Sequence, residues 1–340
     1  MATLYDVAKR AGVSKTLVSR VISGKKGVSE QARQRIKAAM EELQYTPNAL
    51  ARSLVLMKTN TIGVVLDDLC EPYFFDLIRG IEAQVGTTDY NVIFCSGQGR
   101  LKVKAQYIDY MTQGRVDGVV IFGSRLDDEG LIEHLSKTKF PTVIVENDLK
   151  GMPVNNIVID NEYGSKLAVS HLFSCGCRKI FHLVGDKTVK AAIDRCRGYK
   201  KAMESHGLEV DDSMLLAGGF DIESGFQAVS DWISAHGIEA LPDAFYCGSD
   251  RSAIGAMFAL EDAGVCVPEQ IMVVGFDDDK PGEVDRPYKK LTTISQPFYE
   301  IGKSAVQTLL DEIEGKTTEK QRIEFLPKLI VRETTRAKIG

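Results

Sequence analysis

The segment before residue 46 has the spacing of three short amphipathic helices. The first is predicted from apolar positions at i, i+3, i+4 and i+7: Leu4, Val7, Ala8 and Ala11. Gly12 can end it in a left-handed turn, and Ser14 can cap a second helix from Lys15. The apolar face of the second helix holds Val18, Val21 and Ile22. Ser29 can cap a third, whose face holds Ala32, Ile36, Ala39, Met40 and Leu43. The glycine-containing turn between the first two predicts a helix-turn-helix unit.

From residue 61 onward the pattern changes to short apolar runs that alternate with amphipathic segments. The nine runs are Thr61–Leu66, Asn91–Ser96, Gly118–Gly123, Thr142–Val145, Ile157–Ile159, Lys179–Gly185, Ala244–Gly248, Ile271–Phe276 and Leu291–Ser295. Predicted helices between them include Phe74–Thr87, Glu162–Ser174 and Ser252–Ala263. Continuous apolar strands separated by helices indicate parallel sheets that are covered on both faces. Nine runs favour two α/β lobes, with a ligand cleft between them.

Length and composition indicate an ordinary globular protein. The 340 residues fit about two domains, and 44% of them are hydrophobic. No apolar run approaches the roughly 20 residues of a membrane span, and the N-terminus lacks a secretory signal. The seven cysteines are scattered through the chain, which is typical of a reducing compartment rather than a disulfide framework. We therefore expect a cytoplasmic protein without a membrane partner.

The net charge of −5 hides an uneven distribution. Residues 1–60 carry 11 Lys and Arg against four acidic residues, a net charge of +7. The remainder carries 31 basic and 43 acidic residues, a net charge of −12. A basic helical head favours binding to nucleic acid. The alternative is a plain three-helix bundle whose basic face is only solvated.

Polar side chains on the second predicted helix could read DNA. Lys15, Thr16, Ser19 and Arg20 lie off its apolar face, and the first two belong to its first turn. The first turn of a recognition helix meets base edges in the major groove, and its free N–H groups favour phosphate. An arginine can bind guanine O6 and N7, and a threonine hydroxyl can donate or accept.

A second DNA-binding element is predicted after Pro47. Residues 48–56 could form about two turns of helix, which is marginal in water without a partner. Such a helix would form only with another copy of the chain or with DNA. Leu50 and Leu54 share one face, and an exposed leucine can wedge between base steps of the minor groove. The alternative is a linker whose leucines pack on the body.

No catalytic, cofactor or metal motif emerges from the body. Gly97-Gln98-Gly99 lacks the third glycine of a dinucleotide loop. Cys175-Gly176-Cys177 has no second ligand pair at zinc spacing. The acidic run 277–279 could bind a cation, but an acidic loop after a strand is the simpler interpretation. We expect a binding protein without cofactor or metal rather than an enzyme.

The segment from YDVAKRAGVSKTLVSRVISG to TPNALARSL resembles the DNA-binding head and hinge helix of the LacI/GalR family of bacterial repressors. The resemblance implies base contacts from Lys15, Thr16 and Arg20 and a minor-groove wedge at Leu54. Further DNA contacts are expected from Ser14, Ser19, Asn48 and Ala51. Two positions depart from the family pattern: Leu17 replaces the usual threonine, and Ser23 a common asparagine.

Further blocks that resemble the family continue to residue 297: IGVV, PYFFDLIRGIE, VDGVVIFG, RGYKKAM, CGSD, VVGFDD and LTTISQP. They imply a type I periplasmic-binding-protein-like core of two parallel-sheet lobes with three crossovers. The expected domains are a helix-turn-helix head over 1–46, a hinge helix and linker over 47–60, and an effector-binding and dimerisation core over 61–340.

The resemblance also implies an effector site at the lobe interface. Its expected residues are Tyr73, Phe74, Asp160, Asn161, Arg195, Asp250 and Asp277. Aromatic rings with carboxylates and one arginine suit a sugar or similar polyol. Each polar residue could instead be a strand-end cap or an inter-lobe salt bridge.

The expected mechanism is repression from a pseudo-palindromic operator in double-stranded DNA. A homodimer would place two heads in successive major grooves, and an effector in the cleft would change the hinge spacing. Three alternatives remain: control by a protein coregulator that docks on the core, an α/β enzyme with a fused DNA-binding head, and an architectural DNA binder without effector.

Overall fold

The computed structural model describes residues 2–22, 27–45, 58–123, 125–147, 151–279, 284 and 286–336. The predicted hinge contacts Asn48, Ala51 and Leu54 lie outside these ranges, as does Ser23. Within them, no helix is long and apolar enough to cross a membrane.

Three helices form the head as the pattern predicts: α1 (Leu4–Ala11), α2 (Lys15–Ile22) and α3 (Glu30–Glu42). Gly12 ends α1 with φ of 65°, a left-handed conformation that glycine adopts without strain. The Ser14 hydroxyl accepts from the Leu17 N–H at 3.2 Å, and that of Ser29 from Ala32 at 3.3 Å. The head has its own buried core: Val7, Ala8, Ala11, Val18, Val21, Ile36 and Ala39. The predicted core residues Ile22, Met40 and Leu43 are only partly buried at its margin.

The first lobe is a six-stranded parallel sheet in the order β11-β5-β4-β3-β1-β2. Its strands are β1 (Thr61–Leu66), β2 (Asn91–Ser96), β3 (Gly118–Phe122), β4 (Thr142–Val145), β5 (Asn155–Ile159) and β11 (Arg322–Phe325). Helices α4 (Phe75–Val85) and α11 (Phe298–Ile313) cover one face. Helices α5 (Leu101–Thr112) and α6 (Glu129–Thr138) cover the other. Burial on both faces explains why the central strands are continuously apolar.

The second lobe is a six-stranded sheet in the order β12-β10-β9-β8-β6-β7. Its strands are β6 (Ile180–Val184), β7 (Leu215–Ala217), β8 (Ala244–Cys247), β9 (Met272–Asp277), β10 (Thr292–Ser295) and β12 (Lys328–Ile330). All are parallel except β12, which runs antiparallel to β10. Helices α7 (Asn161–Ser174) and α8 (Lys190–Ser205) cover one face. Helices α9 (Ile222–His236) and α10 (Asp250–Asp262) cover the other.

The chain crosses between the lobes three times, as the resemblance implies. The crossings follow β5, β10 and β11, so that α11 and β11 return to the first lobe late in the sequence. All nine predicted strands are present, with small shifts at their ends. The pattern missed β7, β11 and β12, which are short and partly exposed. The two-lobed α/β fold and the helical head are thereby confirmed.

Close helix packing in the second lobe depends on Gly255. A Cβ atom at this position would lie 2.0 Å from the backbone oxygen of Ile222. Because a backbone atom cannot give way cheaply, Gly255→Ala should separate α9 from α10 and lower the free energy of unfolding by about 1–3 kcal/mol. Gly130→Ala is the control, since a Cβ there meets nothing within 4 Å. Urea unfolding of both variants tests this, and a wild-type midpoint for Gly255→Ala would contradict it.

Candidate functional site: the head surface and the inter-lobe cleft

The predicted DNA-reading residues that the structure describes lie along α2 and immediately before it. Ser14, Lys15, Thr16 and Arg20 are exposed, and Ser19 is half-buried. The Lys15 ammonium lies 4.8 Å from the centre of the Tyr5 ring. The first turn of α2 contains no acidic residue, so its positive helix end is not neutralised from within the helix. The free backbone N–H groups of the first turn of α2 can therefore face the phosphates of a nucleic acid.

A cavity of about 210 Å³ lies between the two lobes. The strands β1, β3, β4 and β9 have their carboxyl ends at this cavity. Ligands of parallel α/β sheets commonly bind at such strand ends. Its walls are formed by Asp67, Glu71, Tyr73, Phe74, Phe122, Glu146, Val189, Ala191, Arg195, Phe220, Ser249, Arg251, Asp277 and Asp279. Four of the seven predicted effector residues line it: Tyr73, Phe74, Arg195 and Asp277.

Arg195 is the best-anchored side chain of the cavity. Its side chain is 3% exposed, and its Nη1 atom lies 3.1 Å from Oδ1 of Asp277. Nη1 also donates to the Gly248 carbonyl at 2.6 Å, and Nε donates to Oδ1 of Asn161 at 2.9 Å. The guanidinium carbon lies 3.7 Å from the centre of the Phe276 ring. These contacts fix the fork of donors in one orientation.

Asn161 and Asp160 lie next to the cavity and hold elements that form it. Neither lines it: Asn161 orients Arg195, and the Asp160 carboxylate caps α7 by accepting from the Tyr163 N–H at 2.8 Å. Asp250 does not line it either and, instead of ending a strand, begins α10. It accepts from the Thr293 hydroxyl and from the Asp279 N–H. The structure thus gives these three a supporting position.

Glu146 is a buried carboxylate that the sequence pattern did not single out. It directly follows β4, with φ of 70°, and accepts a hydrogen bond of 2.6 Å from the Tyr73 hydroxyl. Burial raises its pKa from 4.5 to about 7, against the opposing effects of Tyr73 and Arg195. Burial likewise raises the pKa of Asp277 to about 7, although Arg195 opposes it. A polar residue immediately after a buried strand was the available signal for Glu146.

Aromatic rings form part of the cavity wall on the first lobe. The Tyr73 ring meets Phe298 edge-on at 4.6 Å between centroids, and Phe74 meets Phe122 edge-on at 4.8 Å. Phe220 contributes a ring from the second lobe. Apolar walls with a few fixed polar groups are the usual lining of a small-molecule pocket.

Direct contacts bridge the lobes at the cavity and beside it. Nη1 of Arg251, on the second lobe, lies 2.6 Å from Oε2 of Glu71, on the first. Nη2 of Arg125 donates to the Thr188 hydroxyl at 3.0 Å, and the Leu126 N–H donates to the Thr188 carbonyl at 3.0 Å. Sequence reasoning missed Arg251, Glu71 and Phe220, because residues that meet only across a cleft share no spacing.

Comparisons with known proteins bear on both surfaces. Residues 3–48 match the family model "Bacterial regulatory proteins, lacI family", and residues 169–335 match "Periplasmic binding protein-like domain". The chain is 33% identical to the HTH-type transcriptional repressor PurR of Photobacterium profundum over 337 residues, 99% of each chain. It is 32% identical to the HTH-type transcriptional regulator DegA of Bacillus subtilis over 336 residues, 98% of each.

Solved structures share the overall fold of this chain. A lac repressor dimer bound to operator and the anti-inducer ONPF has a TM-score of 0.86 and 28% identity, with 99% of each chain covered. The transcriptional regulator CelR in complex with cellobiose has a TM-score of 0.73 and 29% identity, with 98% of this chain and 100% of that one covered.

The raised pKa of Glu146 predicts a pH-dependent contribution to stability. The folded carboxyl keeps its proton up to about pH 7, whereas the unfolded one loses it near pH 4.5. The folded state therefore binds more protons between these values, and this contribution falls as the pH rises. In Glu146→Gln the amide does not titrate. The free energy of unfolding of the variant relative to wild type should therefore rise from pH 5 to pH 8, by at most about 1.4 kcal/mol per pH unit.

Urea unfolding at several pH values measures this difference. Glu133→Gln is the control, because Glu133 is an exposed carboxyl whose pKa is lowered by its hydrogen bond to Lys137. Its difference from wild type should be flat above pH 5. A flat profile for Glu146→Gln as well would show that Glu146 is ionised throughout.

Proposed function

Since the chain belongs to the lacI family of bacterial regulatory proteins, we propose that it is a repressor whose operator affinity is set by a sugar or similar polyol in the inter-lobe cleft. The family consists of DNA-binding transcription regulators rather than enzymes. Operator binding, dimers and small-molecule effectors are typical of its members.

The observation that carries the DNA-binding assignment is the exposed polar face of α2. Lys15, Thr16 and Arg20 stand on the solvent side of a helix whose other face is locked into the head core. We assign these residues to base edges of the major groove, and Ser14 and Ser19 to flanking contacts. Asn48, Ala51 and Leu54 are assigned to the minor groove from the sequence alone.

The effector assignment rests on the chemistry of the cleft. Arg195 offers fixed donors, Glu146 and Asp277 offer acceptors, and Tyr73, Phe74 and Phe220 offer rings. Donors, acceptors and ring faces together suit a ligand with several hydroxyl groups. The structural relative CelR was solved with cellobiose, and a relative from Enterococcus faecium was solved with ribose. Asp160, Asn161 and Asp250 support these groups in this proposal.

We infer a homodimer in the cytoplasm that reads a pseudo-palindromic operator. The head spans 1–46, the hinge and linker 47–60, and the effector-binding and dimerisation core 61–340. A ligand that changes the closure of the lobes would alter the spacing of the two hinges. A coupling of about 1–3 kcal/mol suffices to change operator affinity by roughly 5–150-fold, and ligand affinity changes by the same factor.

Arg20→Ala tests the assignment of the head. The operator is first selected by the wild-type protein from a random duplex library. If Arg20 binds a base edge, the variant should lose about 1–3 kcal/mol of discrimination between this operator and a scrambled duplex. Lys37→Ala is the control, because Lys37 is an exposed cation of the same head on α3. It should weaken both duplexes similarly.

Gel-shift titration at one fixed salt concentration measures both affinities for each variant. Retained discrimination in Arg20→Ala would contradict a base-reading role. Failure of the wild-type protein to enrich any sequence would contradict sequence-specific repression itself.

A further inference from the structure

We infer that the inter-lobe cleft selects an effector without an anionic group, and that Glu146 together with the Glu71–Arg251 pair enforces this selection. The inference rests on the proposed function, because it narrows the class of polyol that the cleft accepts. It follows from how the charges that line the cavity are paired.

Both guanidinium groups of the cavity wall already have carboxylate partners. Arg195 is paired with Asp277 at 3.1 Å and gives two further hydrogen bonds to Asn161 and Gly248. Arg251 is paired with Glu71 at 2.6 Å. Among the described residues that line the cavity, these two arginines carry the positive charge. An anionic ligand that approached either guanidinium group would therefore lie close to the carboxylate already paired with it.

Lys104, which lies behind the cavity wall, also has carboxylate partners. Lys104 is buried, with Nζ 2.6 Å from Oδ1 of Asp67 and 2.6 Å from Oδ2 of Asp128. It also donates to the Phe122 carbonyl at 3.4 Å. Two carboxylates and a carbonyl surround this ammonium, so it adds no attraction for a ligand phosphate or carboxylate.

The carboxylates of the wall exceed its cations. Among the described residues that line the cavity, two are arginines and five are acidic: Asp67, which is paired with Lys104, and Glu71, Glu146, Asp277 and Asp279. Glu146 is the clearest surplus acceptor, since the contact that holds it is a donated hydrogen bond from Tyr73 and not an ion pair. A hydroxyl or ammonium group of a ligand can donate to a carboxylate, whereas a phosphate or carboxylate is repelled in a site of low dielectric.

The aromatic part of the wall favours the same ligands. Tyr73, Phe74 and Phe220 present rings to the cavity, and ring faces attract cations and C–H groups but not anions. The cleft therefore fits an uncharged or aminated polyol.

Matched ligand series test the inference with the full-length protein. One series is glucose, glucosamine, gluconate and glucose 6-phosphate; ribose with ribose 5-phosphate, and fructose with fructose 6-phosphate, extend it. Dissociation constants are measured by calorimetry at pH 8, where Glu146 is mostly ionised. For each sugar that binds, the uncharged or aminated member should bind at least about tenfold more tightly than its anionic counterpart.

Two variants separate the proposed determinants. Glu71→Gln removes the partner of Arg251 and should improve the affinity for the phosphorylated member at least about threefold. Glu146→Gln should reduce the preference for glucosamine over gluconate at least about threefold. Glu133→Gln is the control, because the Glu133 carboxylate pairs with Lys137 on the surface of α6. This variant should change neither preference.

Tighter binding of any phosphorylated or carboxylated member by the wild-type protein would overturn the inference and leave the proposed polyol class standing. Binding of no member of any series would overturn the proposed effector class and this inference with it. Unchanged preferences in both Glu71→Gln and Glu146→Gln would overturn the residue assignment.

Discussion

The arrangement of the cleft depends on one buried guanidinium. Arg195 extends from α8 in the second lobe and contacts three separate segments, at Asn161 where the chain enters that lobe, at Gly248 after β8 and at Asp277 at the end of β9. A buried charge is costly unless every donor has a partner, so the positions of these three segments are coupled to each other. Burial raises the pKa of Asp277 and of Glu146, and the same guanidinium partly opposes this effect at both carboxyls.

The chain separates its two tasks by charge. The net charge of +7 over residues 1–60 favours phosphate, and the remaining −12 disfavours DNA contacts by the core. Within the core, the surplus of carboxylates continues into the cleft, where it disfavours anionic ligands. The same acidic composition thus disfavours contacts between the core and DNA and bears on which ligands the core can bind.

Most of the fold was predictable because its strands are buried on both faces. A continuously apolar run such as Gly118–Phe122 predicts a central strand of a parallel sheet that is covered on both faces. The edge strand Arg322–Phe325 alternates between exposed and partly buried positions and gave no comparable signal. Arg195 and Tyr73 were identified through motifs, whereas Glu146 and Arg251 were not. Glu146 bonds to Tyr73, a distant segment of the same lobe, and Arg251 pairs with Glu71 across the cleft, so neither contact could be predicted from spacing along the chain.

The most direct measurement is the operator affinity of Arg195→Ala with and without the tightest-binding sugar. Wild-type protein should show a ligand-dependent change of about 5–150-fold. The variant, shown to be folded by circular dichroism, should bind operator like the wild type and fail to respond to the sugar, because Arg195 acts in the cleft and not in the head. A folded variant that responds normally to the ligand, or that loses operator binding without it, would contradict the account.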